Sequence, residues 1–319
     1  MFFYCYNIFM DKKRIGIIRG GMGDYYNSSL IKGGDVISHI FENLSDKYNI
    51  VDILIDKKDI WHLNGVPINP ADLIHKIDIS WNTVQHPSVS AVLNNIAVPN
   101  IENRSFLGTL ESNNEMLRKH IKDVDVQMPR SIVFPAYQED FDGDRSSYSL
   151  RKAKEVFEKF SSPWIVKSYT PDSNLGIHLA KTFPELVYAI EDGVAHNKSI
   201  LVEEFILGKA GSTHSVSGFR KDFLKEKNDI YVFPPENFTA DEKEKIISIV
   251  KDIHTHLGTK HYLKSDFVLH PKRGFFLIGV DFSPDLRKGS HFEKACKSVG
   301  AEMHHIFEHI VERALNKRL

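Results

Sequence analysis

The chain has 319 residues, 42% of them hydrophobic and 26% charged, which is enough for two or three small cores in a soluble multi-domain globule. Lys+Arg 41 against Asp+Glu 42 leaves a formal charge of -1, so no overall field draws the protein to nucleic acid or to an anionic membrane. Cys5 and Cys296 are too few for a disulfide framework, lack metal-site spacing and fit a reducing cytoplasm.

The first ten residues, MFFYCYNIFM, are apolar but too short to span a bilayer, and basic residues follow rather than precede them. Residues 1–12 are read as a leader outside the fold, with Met10 as the native start. Arg14 to Arg19 is a β-branched run closed by Gly20-Gly21, and a helix is expected from Asn27 to Leu44. Further strands are expected at Ile50 to Ile55 and Ile77 to Trp81, with a helix at Ser88 to Ile96. Strands alternating with helices predict a parallel α/β layer. The Gly-Gly turn is not a GxGxxG fingerprint, so no dinucleotide is inferred.

A helix is expected over Leu107 to Asp123 and a strand over Ser131 to Phe134, followed by an acidic loop at Gln138 to Ser147. The pattern then gives a helix at Lys152 to Phe160, a strand at Pro163 to Tyr169, a helix at Pro184 to His196 and a strand at Ser199 to Ile206. This is a small α+β unit. Ser212 to Phe219 alternates as a strand, and Lys221 to Asp229 is a charged connection. Thr239 and Glu242 form a capping box opening a helix to Leu257. Strands at Tyr262 to Leu269 and Gly274 to Phe282 flank a tight turn, and Ser290 with Glu293 is a second capping box, opening the final helix.

Four segments in this order resemble the ATP-grasp fold, in its D-alanine-D-alanine ligase branch. They are Ile17 to Gly21 with Ser29-Leu30; Pro163 to Lys167 with Ser173 to Gly176; Leu201 to Ile206; and Lys264 to Phe267 with Val280 to Pro284. The resemblance implies a Rossmann-like α/β domain at 13–105, a central ATP-grasp subdomain at 106–206 and a C-terminal one at 207–319. ATP would lie between the last two. It also implies Mg²⁺ as a cofactor, a small amino acid or peptide as substrate, and an acylphosphate intermediate; it leaves open a homodimer.

The resemblance carries roles over residue by residue. Lys167 matches a lysine on the ATP phosphates: such a lysine is costly to bury without an anionic partner, although period-two alternation also allows it to face water. Ser173 and Asn174 fall in a small-residue loop whose N–H groups can close over phosphates, or in an ordinary turn. Glu203, Glu204, Phe205 and Ile206 match the segment meeting the adenine. Asp266 and Asp281 lie on consecutive strands, where a carboxylate pair suits Mg²⁺ or marks plain strand ends. Ser290 matches a serine holding a substrate carboxylate but also reads as a helix cap.

Departures are equally specific. Gly279 stands where a metal-binding glutamate is expected, Glu115 where a phosphate-binding lysine is expected with Lys119 one turn on, Ala210 at a ribose glutamate, Lys264 at a catalytic arginine and Tyr25 at a glutamate holding the substrate ammonium. Residues 219–233 are short for a lid. Two readings remain open: an ATP-dependent carboxylate–amine ligase with an altered substrate pocket, or a non-catalytic relative binding nucleotide or a peptide-like ligand. Hydrolase signatures are absent and the sixteen histidines are scattered, with His304-His305 on a helix.

Overall fold

The computed structural model describes residues 12–23, 25–84, 86–101, 105–169, 176–219 and 230–316. Residues 1–11 of the expected leader, Ser173, Asn174 and the charged connection after Phe219 lie outside them. The chain divides into two compact units, one made of residues up to Ser105 together with Asp285 onward, the other of Phe106–Pro284.

The first unit starts with β1 (Lys13–Gly20), α1 (Tyr26–Asn43), β2 (Tyr48–Ile55), β3 (Trp61–Leu63), β4 (Val66–Pro67), β5 (Ile79–Asn82), α2 (Pro87–Asn95) and β6 (Asn100–Ile101). The sheet order is β4-β3-β2-β1-β5-β6, and β1 pairs in parallel with both β2 and β5. Its β-branched run explains the central place: Ile15, Ile17 and Ile18 are fully buried, as a strand covered on both faces requires. The turn after β1 needs glycine. Gly20 and Gly21 have φ of +90° and +96°, and a Cβ on Gly20 would lie 2.2 Å from the Ile55 carbonyl oxygen, which accepts from the Gly21 N–H at 2.8 Å.

The second unit contains α3 (Ser105–Ser112, whose first residue belongs to the first unit), α4 (Asn114–His120), β7 (Ser131–Phe134), α5 (Glu139–Asp142), α6 (Arg145–Lys159), β8 (Trp164–Ser168), β9 (His178–Ala180), α7 (Phe183–Ala195), β10 (Ile200–Glu204), β11 (Lys209–Ser217), β12 (Ile230–Phe233), α8 (Ala240–His256), β13 (Tyr262–His270) and β14 (Gly274–Asp281). They form two four-stranded sheets, β7-β10-β8-β9 and β12-β11-β13-β14. Trp164, Val166, Val202, Val156 and Ile190 belong to the core between the first sheet and helices α6 and α7. Ile246, Val250 and Ile253 of α8 pack with Leu263, Phe267, Leu277 and Val280 in the other.

Several sequence expectations are corrected. The helix expected over Leu107 to Asp123 is two helices, because Asn113 leaves the helical region (φ -126°, ψ 88°) and its side chain caps Met116 N–H at 2.9 Å. Leu107, Leu110, Leu117 and Ile121 pack in the core of the second sheet, so 106–206 is not one packing unit. The acidic loop at 138–147 contains the one-turn α5, and α6 starts at Arg145 because the Asp144 carboxylate accepts from Ser147 N–H at 3.0 Å. At Thr239 both halves of the capping box form, at 3.3 and 2.8 Å.

Past Pro284 the chain returns to the first unit as α9 (His291–Ser298) and α10 (Met303–Asn316). Phe307 stacks on Trp81 of β5 with ring centroids 4.3 Å apart, and Ile306, Ile310 and Val311 are buried. The segment 207–319 is therefore split at Pro284. Ser290 caps α9, accepting from Glu293 N–H at 3.1 Å, but the Glu293 carboxylate takes the Gly289 N–H instead of closing the box on Ser290. Nor is α9 the final helix: it stops before Gly300, whose φ of +69° breaks the helical path.

Candidate nucleotide site

Period-two geometry decides which side chains of the β8–β10 pair meet. Trp164, Val166, Ile200 and Val202 belong to the core under α6 and α7, so Lys167 and Glu203 stand on the opposite face. Lys167 is in register with Leu201, and Glu203 with Ile165, making the two a diagonal pair. Lys167 Nζ lies 2.6 Å from Glu203 Oε2, and Asn114 Nδ2 donates to Glu203 Oε1 at 2.6 Å. The Glu203 side chain is only 7% exposed against 31% for Lys167. The lysine therefore has its anionic partner and still reaches solvent, while Asn114, at the start of α4, is a contributor that sequence reasoning did not assign to the site.

Glu204 is employed differently. Its carboxylate accepts from Arg130 at 3.0 and 3.2 Å and from Arg273 at 2.6 Å. Burial opposes its ionisation, but these two guanidinium groups overcome that cost and hold its pKa down at about 2. The Glu204 side chain ties β10 to Arg130 and to the β13–β14 turn. The Phe205 N–H donates to Pro163 O at 3.0 Å, and Ile206 is buried.

On the second sheet, Leu263, Phe267 and Val280 share the core with α8. Lys264, Asp266, Gly279 and Asp281 consequently lie on the other face, where the register pairs Lys264 with Asp281 and Asp266 with Gly279, just before a bulge. Ser212 of β11 stands opposite Asp266. Both Asp266 oxygens are engaged: Oδ1 accepts from the Ser212 hydroxyl and Oδ2 from Lys264 Nζ at 3.0 Å. Asp281 Oδ1 accepts from Ser283 N–H at 2.8 Å. The two carboxylates share a face, as the strand spacing implies, but among the described residues no group of three or more His, Cys, Asp or Glu side chains could hold a metal ion. A divalent ion on this pair would have to displace an ammonium and a hydroxyl from Asp266. The residues as arranged do not fit Mg²⁺.

The remaining expected site residues separate from these clusters. Lys119 is 75% exposed and pairs with Glu115 at 2.9 Å, one helical turn back. Ser290 belongs to the first unit as the cap of α9. Cys296 is buried, which pushes its thiol pKa up to about 12 and leaves it inert. No helix among the described residues is long and apolar enough to cross a membrane.

No protein-family model matches the chain. A D-alanine–D-alanine ligase of Christiangramia forsetii is 21% identical over 96% of this chain and 100% of that protein. D-alanyl-alanine synthetase A from Vibrio cholerae superposes with a TM-score of 0.72 at 15% identity, covering 96% of this chain and 99% of that one. The chain shares the fold of the D-alanine–D-alanine ligases and resembles them in sequence. A Bacillus anthracis D-alanine–D-alanine ligase complexed with ATP matches at TM-score 0.68 and 18% identity, over 97% of this chain and 98% of that one. In this chain the Lys167–Glu203 pair lies on the sheet face opposite α6 and α7, and the Lys264–Asp266–Asp281 group on the sheet face opposite α8.

Proposed function

We propose that the protein is an ATP-dependent carboxylate–amine ligase acting on small amino acids or short peptides, with an altered substrate pocket. ATP transfers its terminal phosphoryl group to a substrate carboxylate, giving an acylphosphate and ADP. The amine of a second substrate attacks the acyl carbon and phosphate leaves. Such transfer depends on placed positive charge. The observation that carries the reading is the Lys167–Glu203–Asn114 cluster: a half-exposed ammonium oriented by a buried carboxylate, on the face opposite α6 and α7 of a sheet in a fold shared with an ATP-bound ligase. Lys167 would hold phosphate and Phe205 and Ile206 would line the adenine. Ser173 and Asn174 would close over phosphates, Lys264 would face the developing oxyanion, and Ser290 would take a substrate carboxylate.

The test is the melting temperature with and without ATP, followed by phosphate release across pairs of amino acids. A ligand binding only the folded state raises the midpoint by mass action, by several degrees at about a hundred times its Kd. A rise lost in Lys167→Ala, with amine-dependent phosphate release, is the expected result. A rise without release supports the second reading, a non-catalytic relative binding nucleotide or a peptide-like ligand, which the departures at Glu115, Ala210 and Gly279 favour. No rise in the unmodified protein sinks the ligase reading and leaves the relative that binds a peptide-like ligand.

A further inference from the structure

Two carboxylates on one sheet face are unfavourable without a cation, and on the β13–β14 face the cation is already part of the chain. Lys264 is in register with Asp281 and lies two residues before Asp266 on β13, so it is a strand neighbour of both acids on this face. It contacts Asp266 Oδ2 at 3.0 Å, and its side chain is 28% exposed. The Ser212 hydroxyl fills the other Asp266 oxygen. Opposite Asp266, Gly279 presents open space: a Cβ built there meets nothing within 4 Å. The face has room for a third acid and lacks one.

We propose that Lys264 is a built-in replacement for a divalent cation on this face, so that Asp266 and Asp281 bind no Mg²⁺, and that Gly279 marks the vacant third-ligand position of a latent metal site. A lysine two residues from an aspartate is a permanent single charge with no exchange equilibrium, whereas a divalent ion needs carboxylate oxygens that are free to leave their present donors. The proposal rests on the ligase reading, in which ATP would lie beside this face. Its test needs no nucleotide.

The experiment is direct Mn²⁺ titration of the full chain without nucleotide, followed by the electron paramagnetic resonance signal of free Mn²⁺, with Asp266→Asn as the control in each background. The unmodified protein is expected to show no Asp266-dependent binding up to about 1 mM Mn²⁺. Lys264→Met, which removes the ammonium while keeping the stem, and Gly279→Glu, which supplies the third carboxylate, should each gain an Asp266-dependent site. The double variant should bind at least about tenfold tighter than either, since affinity follows the count of charged ligands. Saturable Mn²⁺ binding by the unmodified protein that Asp266→Asn removes would overturn the proposal. So would a failure of both single variants, each confirmed folded by its melting transition, to gain binding. Failure of the ligase reading would appear separately, as the absence of any ATP-dependent rise in melting temperature.

Discussion

The carboxylates of β10 and those of the β13–β14 hairpin meet the same physical problem with opposite arrangements. On β10 the acids are adjacent in sequence, so they point to opposite faces, and each is matched on its own side: Glu203 by Lys167 and Asn114, Glu204 by Arg130 and Arg273. On the hairpin the acids are separated in sequence but share one face, with Lys264 paired to Asp266 and in register with Asp281. Where charges are fully matched and buried, as at Glu204, the group is structural. Where a paired group keeps part of its side chain in solvent, as Lys167 and Asp266 do, its charge is matched without being buried.

The comparison can be broken most severely at Glu204. Removing both guanidinium groups, as Arg130→Met with Arg273→Met, leaves a carboxylate buried without a cation and should cost about 3–5 kcal/mol in denaturant unfolding, with much of the loss recovered by adding Glu204→Gln. A loss under about 1 kcal/mol would mean that Glu204 is effectively solvated.

The acid limb of stability sharpens the same point. Because the folded-state pKa of Glu204 is depressed to about 2 from an ordinary value of 4.5, its contribution is present above pH 4.5 and is lost as pH falls from there through about 2. Glu204→Gln should flatten that limb by on the order of 2 kcal/mol. An unchanged slope in urea melts between those pH values would contradict the assignment.

Smaller effects are expected on the more exposed side. Ser212→Ala, which frees Asp266 Oδ1, should cost about 1 kcal/mol in thermal unfolding. Lys119→Ala, which breaks only the exposed pair with Glu115, should stay within about 0.5 kcal/mol. If Lys119→Ala proved the more damaging of the two, the distinction between matched and exposed charge would fail.

Legibility in the sequence follows the range of the interactions. The strand at Lys167, the capping box at Thr239 and the shared face of Asp266 and Asp281 were readable because period and capping act over a few residues. The order of the four ATP-grasp segments supplied the fold. The partners of Glu204 were not readable, since Arg130 and Arg273 stand 74 and 69 residues away, and nothing local marks them. Asn113 was read as helix interior because its capping geometry depends on Leu117 and Ile121 joining a core built by α8 and the second sheet. The return of α10 to β5 was hidden for the same reason: Trp81 and Phe307 stack across the whole length of the intervening unit.

That return fixes an order of events during synthesis. Residues 106–284 emerge from the ribosome complete, while the first sheet still lacks the helix that carries Ile306, Phe307, Ile310 and Val311. The inserted unit can therefore fold on the nascent chain, whereas the first sheet must wait, with the apolar surface around Trp81 uncovered, until α10 has been made.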